Sequence, residues 1–250
     1  MARAGIRRRG AQPERLFSPQ YWGELADTAE SAGLDYLTIV DELGVQQAPG
    51  ASPIGAASIP PRPSAEIVTG RLDAALLASW IAPRTERIGL IPTVTTTHTE
   101  PFHVATGLQT LDHVSLGRAG WQLRISGGAA DAAAFGRKAA PQIDANRIVG
   151  PDTDPALTEL LDEAADSAEV ARRLWDSWER DAIIRDAATG RFLDRDRLHH
   201  IDFEGDRFSV VGPSIVPTSP QAQLPITVLA HATPIFRLAV RAADVVFVTP

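Results

Sequence analysis

Five short stretches, residues 34–40, 87–94, 121–125, 226–229 and 245–248, are rich in aliphatic and β-branched side chains, and segments of helical spacing lie between them. A strand with apolar side chains on both faces needs cover on both faces. Helices that return the chain between parallel strands supply that cover. The alternation therefore predicts an α/β protein built on a parallel sheet. A barrel and an open doubly wound sheet both satisfy the pattern. No G-x-G-x-x-G follows any of the five strands, so the dinucleotide-binding form of the open sheet has no fingerprint here.

The helices are marked by their ends. Ser18 is placed to cap a helix over residues 19–32, with Pro19 at its first position and Gly33 as its stop. Trp22, Leu25, Ala26 and Ala29 recur there at spacings of three and four. Further helices are expected over residues 71–81, 101–115, 156–180 and 233–242. Residues 200–211 read as a hairpin turning near Glu204-Gly205-Asp206. Residues 127–155 read as irregular. Residues 44–70 and 181–224 are long excursions, and a loop as long as 44–70 is either a functional lid or disordered. Residues 1–15, with Arg3, Arg7, Arg8, Arg9 and Arg15, read as a disordered basic arm ahead of one domain over 16–250.

Composition removes several classes of function. The 250 residues contain no cysteine, which excludes disulfide scaffolds, thiolate metal sites and cysteine nucleophiles. No apolar run approaches the roughly 18 residues of a membrane span. No apolar segment follows the early arginines, so a secretory signal is not expected and a cytoplasmic place is. A net charge of −7 argues against a general nucleic-acid binder. Neither G-x-S-x-G, H-E-x-x-H, a P-loop nor an EF-hand spacing occurs. His98 and His103 are five apart and do not share a helical face, so no metal site is expected. His113, His199, His200, Trp175 and Trp178 read as packing or surface residues.

In a barrel the chemistry sits where strands end and βα loops begin. Four such ends are polar: Asp41-Glu42, the run from Thr95 to Glu100, Gln122 with Ser126, and His231-Ala232-Thr233. Asp41 serves as an acceptor for a ligand or as a helix cap. The threonine run beside a helix start suits an anion or a carbonyl-rich ring, or only capping by Thr99 and Glu100.

Two stretches are more specific. Arg87-Ile88-Gly89-Leu90-Ile91-Pro92-Thr93-Val94-Thr95-Thr96-Thr97-His98-Thr99-Glu100-Pro101-Phe102-His103-Val104-Ala105 runs on to Thr110-Leu111-Asp112-His113-Val114-Ser115-Leu116-Gly117-Arg118-Ala119-Gly120-Trp121. This closely resembles the bacterial-luciferase-like flavin monooxygenases, in the nitrilotriacetate monooxygenase branch. Leu174 to Glu179, Gly205 to Pro213 and Arg241 to Phe247 fit in the same order, so the resemblance covers residues 16–250.

The resemblance implies a (β/α)8 TIM barrel that binds reduced FMN at the C-terminal ends of its strands. A separate flavin reductase would supply that FMN, and molecular oxygen would be used to oxygenate a small organic substrate. By position it implies flavin contacts for Asp41, Thr95, Thr97, Gln122 in place of an asparagine, and Ser126. It implies a phosphate loop at His231 and Thr233, with His231 and Phe236 standing where glycines are usual. Ile148 replaces a tyrosine. Homodimers are common in the family. Only five strands are evident, with the first and the last two of eight not seen, so the barrel is expected to be incomplete. Two alternatives share these residues: a truncated or degenerate non-catalytic relative, and a deazaflavin-dependent hydride-transfer enzyme.

Overall fold

The computed structural model describes residues 12–45, 69–148 and 153–248. Five strands, β1 (Tyr36–Ile39), β2 (Gly89–Thr95), β3 (Trp121–Arg124), β6 (Ile226–Ala230) and β7 (Val245–Val248), form one sheet in the order β1-β2-β3-β6-β7. Every pairing in it is parallel. The remaining two, β4 (Phe203–Glu204) and β5 (Ser209–Val210), make the expected hairpin, which stands apart. Strand order decides between the two architectures left open above. A doubly wound sheet reverses direction at a switch point. Here each new strand joins the same growing edge, which is the winding of a barrel.

The sheet is curled. The rings of Tyr36 on β1 and Phe247 on β7 lie 5.8 Å apart across its concave face, although their strands are the two edges. Four flat strand spacings would separate them by about 19 Å. Neither edge strand has a second neighbour among the described residues, so the sheet is part of a barrel. A hollow of about 340 Å³ opens on the concave face at the N-terminal ends of the strands, lined by Tyr36, Ile91, Thr227, Val245 and Phe247 among others.

Helices cover the convex face. The first, α1 (Pro19–Ser31), is capped by Ser18, whose Oγ accepts Tyr21 N–H at 3.3 Å. The second, α2 (Ala74–Ile81), starts three residues later than its periodicity suggests, because Asp73 accepts Leu76 N–H at 2.8 Å and fixes the start. Next come α3 (Pro101–Val114), α5 (Pro155–Trp175) and α6 (Thr233–Ala242). Capped by Asp154, α5 ends before residue 180 because Ser177 and Trp178 turn away to the excursion, where Trp178 bridges to Leu198. The stretch read as irregular holds one more helix, α4 (Ala129–Phe135), stopped by Gly136 at φ 66°. It buries only Ala132, so it carries no apolar stripe to find. Trp121 and Trp175, both fully buried, anchor the layer between sheet and helices.

Of the expected basic arm, residues 1–11 lie outside the described residues. Its end, Pro13–Arg15, is a single 3-10 turn whose Arg15 pairs with Glu24 on α1. The proposed lid over 44–70 falls mostly on residues 46–68, also outside them. Among the described residues no helix is long and apolar enough to cross a membrane.

The N-terminal ends of the strands are clamped. Arg118 spends all five guanidinium donors: Nε on Ser115 O, Nη1 on Thr85 Oγ1 and Ile88 O, Nη2 on Ala82 O and Thr85 O, each at 2.7–2.9 Å. The Asp112 carboxylate, fully buried, accepts Ala119 N–H and both Gln221 N–H and its side-chain amide. Such groups hold the fold and leave the opposite end of the sheet for chemistry.

Candidate active site at the strand C-termini

Strand alternation sorts the site residues. On β3, Trp121 and Leu123 face the helices and are buried, which turns Gln122 and Arg124 to the concave side. Thr93 faces Gln122 in register, and its hydroxyl donates to Gln122 Oε1 at 3.2 Å. The Gln122 amide nitrogen makes no hydrogen bond among the described residues. Thr95 is buried at the same level, opposite Arg124.

Past the end of β2 the chain makes a tight turn. Thr99 donates its hydroxyl to Thr95 O at 2.6 Å, and Thr96 N–H reaches Arg124 O at 2.9 Å. The Thr97 hydroxyl accepts Ser126 N–H at 3.0 Å, while Ser126 Oγ donates to Asp131 Oδ2 at 2.5 Å. Thr97 and Ser126 thus tie the β2 and β3 ends together, and Ser126 is tied onward to α4.

His98 stands at the apex of that turn. It adopts φ 67°, a left-handed conformation uncommon for a residue with a Cβ. Its ring is 6% exposed and stacks on Phe135 with centroids 5.6 Å apart. Among the described residues neither ring nitrogen has a hydrogen-bond partner. Burial pushes its pKa below the ordinary histidine value, helped by Lys138 and opposed by Asp131 and Glu163. Burial therefore disfavours the charged form of the ring. Nothing local announces this beyond the position of His98 in the threonine run.

At the end of β1, Asp41 Oδ1 accepts Glu42 N–H at 2.7 Å and Oδ2 accepts Ala74 N–H at 2.9 Å, so its carboxylate caps α2. Arg124 reaches over from β3 to donate to Asp41 O at 3.1 Å and to Glu42 Oε1 at 2.6 Å. Arg71 donates to Glu42 Oε2 at 3.1 Å. Sequence reading passed over both arginines, though the alternation that places Gln122 inside places Arg124 inside too.

Beyond β6, His231 and Thr233 are exposed at the start of α6. Its N-cap, Ala232, has no polar side chain; Pro234 brings no N–H, and the Ile235 and Phe236 N–H groups both turn to Ala232 O, at 3.0 and 3.1 Å. Phe236 is 43% exposed, so neither His231 nor Phe236 is buried against that first turn. Ile148 is half-buried against the core. Among the described residues no three or more His, Asp or Glu side chains are grouped to hold a metal ion.

The profile of the luciferase-like monooxygenase family matches residues 2–250, and the chain belongs to that family. The N-acetyl-S-(2-succino)cysteine monooxygenase of Bacillus subtilis is 33% identical over 247 residues, 98% of this chain and 49% of the relative. Component A of the nitrilotriacetate monooxygenase of Aminobacter aminovorans is 32% identical over 97% of this chain and 50% of its own length. Among solved structures, a riboflavin lyase with modified FMN and riboflavin superposes with a TM-score of 0.77 at 27% identity, over 96% of this chain and 49% of that one. The chain spans about half the length of the curated relatives it matches. A coenzyme F420-dependent tetrahydromethanopterin reductase, at 18% identity and TM-score 0.58, shares the fold.

Proposed function

We propose that the concave strand ends form one wall of an FMN site, and that the chain serves a monooxygenase using reduced FMN and molecular oxygen on a small organic substrate. The observation that carries this reading is the polar floor at Thr93, Thr95 and Gln122, set on the concave side of a sheet with barrel winding, in a chain of the luciferase-like monooxygenase family.

The donors fit the group. The rim of an isoalloxazine ring alternates carbonyl acceptors with N–H, and the Gln122 amide with neighbouring hydroxyls offers the complementary set. The exposed hydroxyl of Thr233, at the first position of α6, suits a phosphate oxygen. In this assignment Gln122, Thr95 and Thr97 orient the ring, Asp41 and Ser126 hold the surrounding backbone, and Thr233 and His231 meet the phosphate. Bound reduced FMN supplies the electrons that activate oxygen. The threonine-lined floor excludes water from the ring and fixes which face meets the substrate.

A separate reductase delivers the reduced flavin in this scheme, in the cytoplasm. The designation "component A" of a 32% identical relative supports a multi-component system. We also propose assembly as a homodimer.

Fluorescence titration of the purified chain with oxidised FMN, reduced FMN and a deazaflavin tests the reading. Saturable one-to-one binding of FMN with Kd near the micromolar range, about −8 kcal/mol, is expected. A cooperatively folded chain that binds no FMN overturns it and marks a non-catalytic relative. Preference for the deazaflavin assigns hydride transfer instead.

A further inference from the structure

We propose that Arg124 and Arg71 form an oxyanion subsite at the mouth of the barrel, and that the substrate recognised there carries a carboxylate which displaces Glu42. This rests on the strand ends being the substrate mouth.

Arg124 projects from the last residue of β3 on the same face as Gln122, so its guanidinium lies over the polar floor. Arg71 enters from the segment before α2. Both bind one carboxylate: Arg124 Nη2 meets Glu42 Oε1 at 2.6 Å, and Arg71 Nη2 meets Glu42 Oε2 at 3.1 Å. The other nearby carboxylates are already committed. Asp41 accepts two backbone N–H groups, and Asp131 accepts the Ser126 hydroxyl. Two guanidinium groups therefore share the Glu42 carboxylate, and among the described residues no other donor holds it.

The two Nη2 groups are donors that another carboxylate can take over. Arg71 Nε is buried and has no hydrogen-bond partner among the described residues. A guanidinium presents five donors in a planar fork that matches a carboxylate. Glu42 itself is 42% exposed and lies past the end of β1, outside any helix or strand, so it can leave with little cost to packing. Glu42 thus acts as an internal stand-in: a ligand carboxylate arriving from solvent takes over the same Nη2 donors.

Calorimetric titration with succinate, and with succinamide as the uncharged analogue, reads this directly at low ionic strength. The wild-type chain is expected to bind succinate saturably and succinamide not at all. Arg124→Gln and Arg71→Gln are each expected to weaken succinate at least about tenfold, the size of a lost charge-assisted contact. Glu42→Gln removes the competitor and is expected to tighten succinate severalfold, an outcome that damage to the fold cannot produce. FMN affinity is expected to stay within about twofold in Arg71→Gln and Glu42→Gln. Equal succinate binding by wild type and Arg124→Gln overturns the proposal. So does weaker binding by Glu42→Gln, which would make Glu42 a brace for the arginines rather than a competitor. Loss of FMN in Arg124→Gln with succinate unchanged also overturns it and assigns the arginines to the flavin phosphate. If no variant binds FMN while the succinate pattern holds, the oxyanion subsite stands and the flavin reading falls.

Discussion

Arg118 and His98 show opposite uses of a buried polar side chain. Arg118 satisfies five acceptors with five donors and closes the N-terminal ends of the strands. Lysine offers three donors without the planar fork, so Arg118→Lys is expected to cost about 2–3 kcal/mol in urea unfolding. His98 satisfies nothing, and an orphaned buried polar group costs about 1–3 kcal/mol. Because burial depresses its folded-state pKa, the unfolded chain takes up the proton first as pH falls. Stability is then lost as pH drops below about 6.5, the ordinary histidine value. His98→Phe keeps the stack on Phe135 and is expected to flatten the dependence of Tm on pH between about 5.5 and 7.5. A variant as pH-sensitive as the wild type would remove His98 from this role. At the proposed flavin wall, Ser126→Ala and Thr233→Ala are each expected to weaken FMN by about 1 kcal/mol in fluorescence titration. Unchanged affinity in both would refute those two assignments.

Helix ends are where the sequence was read most accurately, and where it was also outvoted. Ser18 before Pro19 is a cap by chemistry alone, and α1 begins there. Asp73 is the same kind of residue inside a stretch whose apolar spacing starts earlier, and the cap decided the start of α2. Asp41 adds a second carboxylate to that helix from 33 residues away, which no local pattern announces. Asp73→Ala is expected to cost about 1 kcal/mol in thermal or urea unfolding. Glu30, near the end of α1, clamps the approach to β2 by accepting the N–H groups of Glu86, Arg87 and Ile88. Those bonds hold its pKa below the usual glutamate value. Its contribution is therefore present at neutral pH and lost as pH falls through the carboxylate range. Glu30→Gln is expected to narrow the stability difference between pH 7 and pH 4, measured by urea midpoint, to about what the remaining carboxylates give.

At the scale of the molecule, the two sheet edges govern behaviour. Among the described residues β7 is unpaired on its outer side, with Val246 39% exposed and Val248 59% exposed. An apolar edge with unpaired backbone groups invites association. The chain is expected to self-associate with rising concentration, and Val246→Lys to shift it toward monomer in light scattering. A monomer at all concentrations would show that the edge is covered. The sequence by itself determined the parallel α/β class, five strands, most helix ends and the polar residues at the strand ends. These depend on side-chain periodicity and capping, which act within a few residues. Tertiary structure alone decided the winding of the sheet, since strand order is set by contacts between segments tens of residues apart. It alone turned Thr95, Gln122 and Arg124 to one concave face, set Asp41 on the start of α2, and left His98 buried without a partner, because each outcome depends on which distant backbone group arrives beside the side chain.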